Sequence, residues 1–422
     1  MTQRPGDAAS MTRQAVVLVG GKGTRLGEQA RNTPKPLLPI DGEAVFLDEV
    51  IFQIARHGFE EILLLAGHLH EQVTSRYEGK TALGARLSVL IEPSPAGTGG
   101  ALAMAAERLD PSFLFANGDT LFDINLRRLD AELANSPQAA AVLALRRVPD
   151  AGRYGSVQAD AGRILRFEEK RADASGSTGL VNGGIGVFRR DVLRYVASPP
   201  CSIETDVYPK LAADDRLRGE EFDGYFLDIG LPETLAQARE ELPRRRRRPA
   251  LFLDRDGVLN RDEGYTHKPE DLEWVPGAIE TIRRANDIGA FVVVVTNQAG
   301  VAHGFYEIAH VERFHAAMRA ELAARGAHVD AFYMCPYHPE AGLAQWRCDH
   351  PDRKPKPGML LRALVDWPID RGASVLIGDR DSDVQAAKAA GVRGLFFAGG
   401  NLSVFARDAL DAMAAARASS GN

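Results

Sequence analysis

Short apolar runs alternate along the chain with longer stretches in which apolar residues recur every three or four positions. The short runs predict strands, and the longer stretches predict helices. The predicted strands are residues 15–19, 61–66, 87–92, 113–116, 251–253, 291–296 and 374–377, and the predicted helices are residues 44–56, 100–108, 278–288 and 310–325. Because apolar strands separated by helices are typical of parallel sheets covered on both faces, we predict an α/β protein.

The 422 residues exceed one typical core and fit two domains. Five consecutive arginines, residues 244–248, stand between Pro243 and Pro249 and mark the expected boundary. Because like charges repel, residues 243–249 are expected to form an extended, solvated linker, and a nucleic-acid contact is the less common role of such a run. The predicted organisation is a disordered leader at 1–12, a first domain at 13–242, this linker, a second domain at 250–405 and a C-terminal tail at 406–422.

The composition favours a globular protein that acts on small molecules. A net charge of −6 gives no reason to expect a nucleic-acid or membrane partner. No apolar run approaches the roughly 18 residues that a membrane helix needs. The three cysteines, Cys201, Cys335 and Cys348, are too few and too scattered for a disulfide framework, so we expect a cytoplasmic protein. The oligomeric state stays open.

A glycine-rich loop follows the first predicted strand, with the sequence Gly20-Gly21-Lys22-Gly23-Thr24-Arg25-Leu26. Backbone N–H groups in such a loop can approach phosphate oxygens, although an ordinary strand-to-helix turn is the alternative. It is neither a Walker loop, because no Gly-Lys-Ser/Thr closes it, nor a dinucleotide fingerprint, because Leu26 replaces the third glycine. Two cations, Arg25 and the proline-flanked Lys35, favour a triphosphate ligand.

The loop together with residues 33–39, Thr-Pro-Lys-Pro-Leu-Leu-Pro, resembles the sugar-1-phosphate nucleotidyltransferase family, and the resemblance continues to about residue 240. It implies a Rossmann-like, GT-A-like mixed sheet. The residues that it assigns to the nucleotide are Gly20, Gly21, Gly23, Thr24, Gly97, Thr98 and Gly99. Those that it assigns to the sugar phosphate are Glu169, Lys170, Asn182 and Gly183.

The same resemblance makes Asp119 and Asp228 the carboxylates that hold Mg²⁺, a hard ion that prefers oxygen ligands. In this chemistry a sugar 1-phosphate oxygen attacks the α-phosphorus and pyrophosphate leaves. Since the attacking group is already an anion, the site needs charge neutralisation and in-line placement more than a strong base. Arg25 would steady the leaving pyrophosphate and Lys35 the transferring phosphate. A helix cap or turn is the alternative role for each aspartate alone.

In the second half, Asp254-Arg255-Asp256-Gly257 directly follows the strand predicted at 251–253. Two carboxylates two residues apart point the same way if the strand continues. A lone Asp-x-Asp is usually structural, but here Thr296-Asn297, Arg353-Lys354 and Gly378-Asp379 follow it in order. A nucleophile, a hydroxyl donor, a cation and a metal carboxylate are the groups that phosphoryl transfer through a covalent intermediate requires.

This series resembles the haloacid dehalogenase superfamily of phosphatases, whose domain is a parallel-sheet Rossmannoid fold, over about residues 249–400. The resemblance implies that Asp254 forms an aspartyl-phosphate and that Asp256 protonates the leaving oxygen and then activates water. It further implies that Thr296 and Lys354 hold the phosphoryl oxygens and that Asn297 contacts the substrate. The Mg²⁺ ligands would be Asp254, Asp379 and, through its carbonyl group, Asp256, with Asp383 supporting that site.

Narrower details resemble the branch of heptose-bisphosphate and histidinol-phosphate phosphatases, in which Arg353 would contact the far end of the substrate. That branch often carries a structural zinc. Four ligand-type side chains, Cys335, His338, Cys348 and His350, make a Zn²⁺ site possible here. Their spacing departs from the branch at two places, so a metal-free loop ordered by packing is the alternative.

Two phosphate-handling domains in one chain suggest successive steps on one sugar. By resemblance, the second domain would remove the 7-phosphate of D-glycero-D-manno-heptose 1,7-bisphosphate, and the first would join the heptose 1-phosphate to GMP from GTP. A mannose-1-phosphate or other hexose-1-phosphate nucleotidyltransferase fused to a different small-molecule phosphatase is one alternative, and a phosphatase with a nucleotide-sensing N-terminal module is another. The residues alone do not distinguish guanine from uracil or thymine.

Overall fold

The computed structural model describes residues 11–21, 24–149, 156–168 and 178–419, without the side chains of Thr24 and Glu168. Contacts divide the chain into two units, Met1–Leu242 and Pro243–Asn422. Residues 1–10 of the predicted leader lie outside the described residues. Thr12, in contrast, is buried, and its carbonyl oxygen accepts a 2.8 Å hydrogen bond from Arg127. The first unit therefore begins before residue 13, because Thr12 is anchored in it.

The first unit alternates strands and helices as the sequence predicts. Its strands are β1 (Gln14–Leu18), β2 (Pro39–Asp41), β3 (Ala44–Val45), β4 (Glu61–Ala66), β5 (Thr81–Ala82), β6 (Ala85–Ile91), β7 (Ser112–Asn117), β8 (Thr120–Asp123), β9 (Ala141–Val148), β10 (Ser156–Asp160), β11 (Arg163–Glu168), β12 (Gly179–Arg189), β13 (Leu217–Glu221) and β14 (Tyr225–Asp228). Its α-helices are α1 (Phe46–Arg56), α2 (His70–Tyr77), α3 (Gly97–Met104), α4 (Arg127–Asn135), α5 (Tyr208–Ala213) and α6 (Pro232–Arg245).

A mixed sheet organises this unit. Ten of the described strands form it in the order β10-β11-β13-β9-β12-β7-β1-β4-β6-β5, and β1 is parallel to both of its neighbours, β4 and β7. Strand β12 runs antiparallel to β7 and β9, which makes the sheet mixed, as the family resemblance implied. Successive residues of β1 enter different cores, since Ala15 and Val17 pack on one face and Val16 on the other. Both faces are therefore covered, which explains the continuous apolar strands.

The second unit is a smaller α/β layer structure. Its described strands are β15 (Ala250–Leu253), β16 (Phe291–Asn297), β17 (Ala331–Cys335), β18 (Val375–Gly378) and β19 (Arg393–Phe396). Its α-helices are α7 (Ala278–Asp287), α8 (Ala299–His303), α9 (Ile308–Ala324), α10 (Gly358–Asp366), α11 (Asp381–Ala390), α12 (Leu402–Phe405) and α13 (Arg407–Ser419). The order β17-β16-β15-β18-β19 is parallel throughout, so the carboxyl ends of these strands share one edge. The predicted fold class is confirmed for both units.

Two boundary predictions were wrong. The arginine run is not an extended solvated linker, because α6 continues to Arg245 and Arg248 is only 6% exposed. Arg248 forms a parallel bridge with Ile369, and its side chain lies over the Phe291 ring at 5.7 Å. The predicted tail is also part of the second core, since α13 buries apolar side chains such as Met413 there. Both errors come from reading charge and alanine content where tertiary packing decides the structure.

Among the described helices, none is both long enough and apolar enough for a membrane crossing.

Candidate active sites

Two aspartates of the first unit meet because the strands next to them pair. Asp119 directly precedes β8, and Asp228 is the last residue of β14. These strands are antiparallel, with Thr120 opposite Asp228, so the two carboxylates come together from positions 109 apart in sequence. Lys35 Nζ lies 2.6 Å from Asp119 Oδ2 and 3.9 Å from Asp228 Oδ1. The structure thus brings together three of the residues that the sequence assigned to this site.

Local hydrogen bonds fix the Asp228 carboxylate and the Asp119 backbone. The Asp228 side chain accepts from Gly230 N at 2.7 Å and from the Thr120 hydroxyl at 3.1 Å. The backbone N–H of Ile229 donates to the Asp119 carbonyl at 3.1 Å. Two neighbouring carboxylates repel unless a cation lies near them, and Lys35 supplies one positive charge. This set of oxygen donors also fits a hard divalent ion such as Mg²⁺.

The glycine-rich loop follows β1, as predicted. Gly20 and Gly21 are exposed, as is Arg25 in the 3₁₀ segment Thr24–Ala30. Gly23 lies outside the described residues, and the Thr24 side chain is not described. The nucleotide contacts of this loop remain predictions.

The segment predicted to hold the base begins α3 and is braced by a loop that the sequence did not identify. Gly97 has a φ of +76°, and a Cβ atom there would come within 2.5 Å of the Cys201 carbonyl oxygen, so only glycine fits. Gly99 N donates to that same oxygen at 2.9 Å, and Ile203 N donates to the Thr98 hydroxyl at 2.8 Å. The loop around Cys201 therefore sets the shape of the predicted base site.

A β-bulge in β12 lies at two of the predicted sugar-phosphate residues, Asn182 and Gly183. The register between β12 and β9 shifts between Asn182 and Gly186, and bulges commonly re-aim side chains next to functional sites. Asn182 Oδ1 accepts from Gly184 N at 3.1 Å, which stabilises the bulge. A Cβ atom on Gly183 would come within 2.5 Å of the Phe122 ring. Glu169 and Lys170, the other predicted contacts, lie outside the described residues.

In the second unit, Asp254 follows β15 at the bottom of a pocket of about 610 Å³. The Lys354 ammonium group lies 2.8 Å from Asp254 Oδ1 and 2.6 Å from Asp383 Oδ1, and it donates to the Val295 carbonyl at 2.8 Å. The side chains of this ion-paired cluster, Asp254, Lys354 and Asp383, are all buried, so their positions are well fixed. Asp383 thus contacts Lys354, the lysine predicted to hold the phosphoryl oxygens, directly, which is a larger role than the sequence indicated.

Three carboxylates form the candidate metal centre of this unit. Among the described residues, one ligand oxygen from each of Asp254, Asp379 and Asp383 lies within 4.8 Å of the other two. Burial raises the pKa of Asp254 to about 7, against the opposing charge of Lys354, and burial also raises the pKa of Asp379. Asp379 Oδ1 is buried without a hydrogen-bond partner in the described structure. An oxygen-preferring divalent ion would satisfy that oxygen and favour the ionised carboxylates, so the residues fit Mg²⁺.

A glycine makes this centre compact. Gly257 has a φ of +84°, and a Cβ atom there would come within 2.2 Å of Asp379 Oδ2. Any other residue would both strain the backbone and push the carboxylate away. The Asp-x-Asp-Gly motif therefore ends in glycine because the Asp379 carboxylate lies too close for any side chain at position 257.

Asp256 lines the same pocket, but its carboxylate is not part of the three-carboxylate cluster. Its oxygens accept from the Arg255 guanidinium at 2.8 and 3.0 Å, from Asn260 at 3.0 Å and from Gln298 Nε2 at 2.9 Å. Tyr306 in turn donates to Gln298 Oε1 at 2.8 Å. These donors hold the Asp256 side chain, and the assignment of the Asp256 carbonyl group to the metal, which the carboxylate cluster does not test, stays a prediction.

The remaining predicted phosphatase residues line or support the pocket. Thr296 is buried at the end of β16, where its hydroxyl oxygen accepts from Gln298 at 2.8 Å. Asn297 exchanges hydrogen bonds of 3.1 Å with the backbone of Lys354, which fixes the lysine segment. Arg353 is part of the pocket lining, and its guanidinium donates to the Tyr337 carbonyl at 3.2 Å.

A buried histidine next to Arg255 leads to a prediction about stability at acidic pH. His315 is 5% exposed, stacks on Phe332 at 4.3 Å and lies with Nε2 3.4 Å from the Arg255 guanidinium. Burial, with the charges of Arg255 and Arg319, lowers the pKa of His315 from 6.5 to about 2. Because the unfolded chain binds this proton below pH 6.5 and the folded chain does not, stability is present above pH 6.5 and is lost as the pH falls. We expect His315 to account for a loss of about 2 kcal/mol in the unfolding free energy between pH 7 and pH 5.

Tryptophan fluorescence measures this effect in the second unit alone. All three tryptophans of the chain lie in that unit, at Trp274, Trp346 and Trp367. Denaturant titrations of the wild type and of His315→Gln at both pH values give the comparison. The glutamine does not titrate and keeps an acceptor for Arg255. An equal loss of stability in the two proteins between pH 7 and pH 5 would contradict the prediction.

The possible zinc site is not supported. In the described part of the chain, Cys335, His338, Cys348 and His350 do not form a cluster with metal-ligand spacing. Each imidazole Nδ1 instead accepts a backbone hydrogen bond of 3.1 Å, His338 from Glu340 and His350 from Asp352. Burial raises the pKa of Cys335, which disfavours the thiolate that zinc binds. The Tyr337 ring stacks on His350 at 4.2 Å, so packing orders the loop.

Two family models match the chain. The nucleotidyl transferase model covers residues 14–245, more than half of the chain, and the HAD-hydrolase-like model covers residues 352–418. Both sites described above contain residues from these ranges.

Proteins of related sequence point to the phosphatase half. The D-glycero-beta-D-manno-heptose-1,7-bisphosphate 7-phosphatase of Rhodopseudomonas palustris is 45% identical over 166 residues, which are 39% of this chain and 91% of that protein. The D-glycero-alpha-D-manno-heptose-1,7-bisphosphate 7-phosphatase of Burkholderia mallei is 45% identical over 34% of this chain and 76% of its own length. The crystal structure of HddC from Yersinia pseudotuberculosis, 26% identical, covers 55% of this chain and 100% of that chain with a TM-score of 0.49, which is too low to add to the assignment.

Proposed function

We infer, because this chain belongs to the nucleotidyl transferase family and to the family of heptose-bisphosphate 7-phosphatases, that it catalyses two successive phosphate reactions on one sugar. The second unit removes the 7-phosphate of D-glycero-D-manno-heptose 1,7-bisphosphate. The first unit joins the resulting heptose 1-phosphate to a nucleotidyl group, GMP from GTP, and releases pyrophosphate. One observation carries this proposal: the half that is 45% identical to such a phosphatase shares the chain with a half of the nucleotidyl transferase family. The resemblance of that half to sugar-1-phosphate nucleotidyltransferases implies that the product of the phosphatase is its substrate.

The phosphatase step uses the ion-paired nucleophile. An Asp254 oxygen attacks the phosphorus, the bond to the sugar oxygen breaks, and Asp256 gives that oxygen a proton. Asp256 then takes a proton from water, which attacks the aspartyl-phosphate and releases inorganic phosphate. Lys354, 2.8 Å from Asp254, orients the nucleophile and faces the incoming phosphate. Bound Mg²⁺ at Asp254, Asp379 and Asp383 would supply positive charge for the phosphate oxygens.

The transfer step depends on placement and charge. An oxygen of the sugar 1-phosphate attacks the α-phosphorus, and the bond to pyrophosphate breaks. Asp119 and Asp228 would hold Mg²⁺, while Lys35, already 2.6 Å from Asp119, neutralises the phosphate that is transferred. Arg25 is proposed to steady the pyrophosphate, and the bulge at Asn182 to face the sugar phosphate.

The test uses the full chain with Mg²⁺ and both anomers of heptose 1,7-bisphosphate, since the related phosphatases differ in the anomer that their names give. Without nucleotide we expect inorganic phosphate and heptose 1-phosphate. With GTP we expect pyrophosphate and a GDP-sugar, detected by mass spectrometry, and we expect little product with UTP, dTTP or ATP. Phosphate release without a nucleotide sugar from any triphosphate would contradict the proposed function. Product from mannose 1-phosphate but not from heptose 1-phosphate would favour the hexose alternative.

A further inference from the structure

An aromatic cluster stands at the mouth of the phosphatase pocket. Tyr265 lines the pocket and is 44% exposed. Its ring lies 4.8 Å from the Phe305 ring in an edge-on arrangement and 6.3 Å from the His303 ring. Phe305 is itself 58% exposed, although it braces the two rings that face the pocket. Large aromatic side chains left exposed together at a pocket entrance are typical of ligand contacts.

The backbone at Tyr265 is strained. Its φ is +60°, in the left-handed region that residues with a side chain rarely adopt, and the preceding Gly264 has a φ of +94°. A non-glycine residue keeps such a conformation only where its surroundings impose it, and such residues cluster at ligand-binding sites. The strained backbone directs a large ring to the pocket mouth, where a glycine would satisfy the turn more easily.

Contacts on both sides of Tyr265 hold this conformation. Before it, Gly264 N donates to Asp262 Oδ1 at 3.0 Å. After it, the Thr266 carbonyl accepts from the buried Arg255 at 2.8 Å, and the His267 ring stacks on Tyr306 at 4.3 Å. The loop is therefore fixed by the same arginine that holds Asp256, and the ring is positioned before any ligand arrives. Such preorganisation reduces the ordering cost of binding.

Charged groups complete the pocket in which the ring lies. Lys354 and Asp254 lie where the reacting phosphate is proposed to bind. Arg353 and Arg380 line the same pocket. A ligand held by a phosphate at one end and by a second anionic group near the arginines must place its middle between them. An aromatic wall suits the apolar C–H face of a sugar ring there, since aromatic faces carry partial negative charge.

We propose that Tyr265 is a specificity-determining residue whose ring forms one wall of a subsite for the sugar ring of a sugar bisphosphate. Phe305 and His303 support this wall. The inference rests on the proposed function for the identity of the sugar, but not for the existence of the subsite.

The test replaces Tyr265 by glycine, which removes the ring and suits the positive φ. We expect the KM for heptose 1,7-bisphosphate to rise about tenfold, with kcat changed less than about twofold. Three further readouts separate binding from folding. The thermal midpoint followed by tryptophan fluorescence should not fall, the inhibition constant of inorganic phosphate should stay the same, and Tyr265→Phe should keep the wild-type KM.

An unchanged KM in Tyr265→Gly would overturn the proposal. So would a parallel rise in the inhibition constant of inorganic phosphate, because the loop would then support the phosphate site and not a sugar subsite. If the wild type hydrolyses another sugar phosphate and not heptose bisphosphate, the proposed function fails while the same comparison on that sugar still tests the subsite. If no sugar phosphate is hydrolysed, both are rejected.

Discussion

Asp254→Asn is expected to lower phosphate release from the sugar bisphosphate by at least about 10⁴-fold, because the amide cannot form the aspartyl-phosphate. Loss of folding should not accompany this loss of activity. The amide keeps nearly the shape of the carboxylate, and Asp383 still pairs with Lys354 at 2.6 Å. The measurement is phosphate release by the purified full chain under saturating substrate.

Two controls make this result specific. Asp408→Asn, the same change at an exposed position of α13, should leave phosphate release at the wild-type level. Nucleotidyl transfer from GTP to supplied heptose 1-phosphate should also be unchanged in Asp254→Asn. If Asp254→Asn retains phosphate release within tenfold of the wild type, Asp254 is not the nucleophile.

Asp119→Asn is expected to lower pyrophosphate release by at least about 10³-fold, while phosphate release from the bisphosphate stays at the wild-type level. The change removes one of two carboxylates that meet at Lys35 and leaves its oxygen and shape nearly intact. Loss of a negative charge weakens the hold on a divalent ion, and with it the neutralisation of the triphosphate. Pyrophosphate release with heptose 1-phosphate and GTP gives the measurement.

The matched control is Asp110→Asn, which makes the same change at an exposed position of the first unit. It should leave both activities intact. A folded Asp119→Asn protein that loses both activities would show that the two sites are not independent. Transfer at the wild-type rate would remove Asp119 from the proposed chemistry. Nucleotide binding by the wild type without any pyrophosphate release would instead favour the nucleotide-sensing alternative.

Much of the fold follows from local sequence. The strand predicted at 61–66 is β4 to the residue, because an unbroken apolar run buried on both faces leaves little choice of limits. Helix α1 starts at Phe46 and not at residue 44, since Ala44 and Val45 pair with β2. Helix α3 starts at Gly97, three residues before the predicted position, because Cys201 braces glycines that have low helix propensity.

The candidate sites were predictable where a motif ends a strand and less so where distant segments meet. Asp254 and Asp119 were identified from their place after apolar strands. Asp228 lies near Asp119 because β8 pairs with β14, and no local sequence pattern predicts this pairing. The same holds for Gln298, whose hydrogen bond to Asp256 spans 42 positions. The possible zinc site is not supported, because residue types alone do not show where their ligand atoms point.

The buried arginine before β15 determines where the two halves of the gene can be divided. Arg248 donates through its backbone to Pro368 at 3.1 Å and accepts from Asp370 at 2.7 Å, while the Arg245 carbonyl accepts from Arg417 at 2.7 Å. A shortened protein that starts at Pro249 would lack these contacts and leave the Pro368 carbonyl and the Asp370 N–H without their backbone partners. Separate expression of the phosphatase half should therefore start at or before Pro243, with the arginines retained as part of its fold.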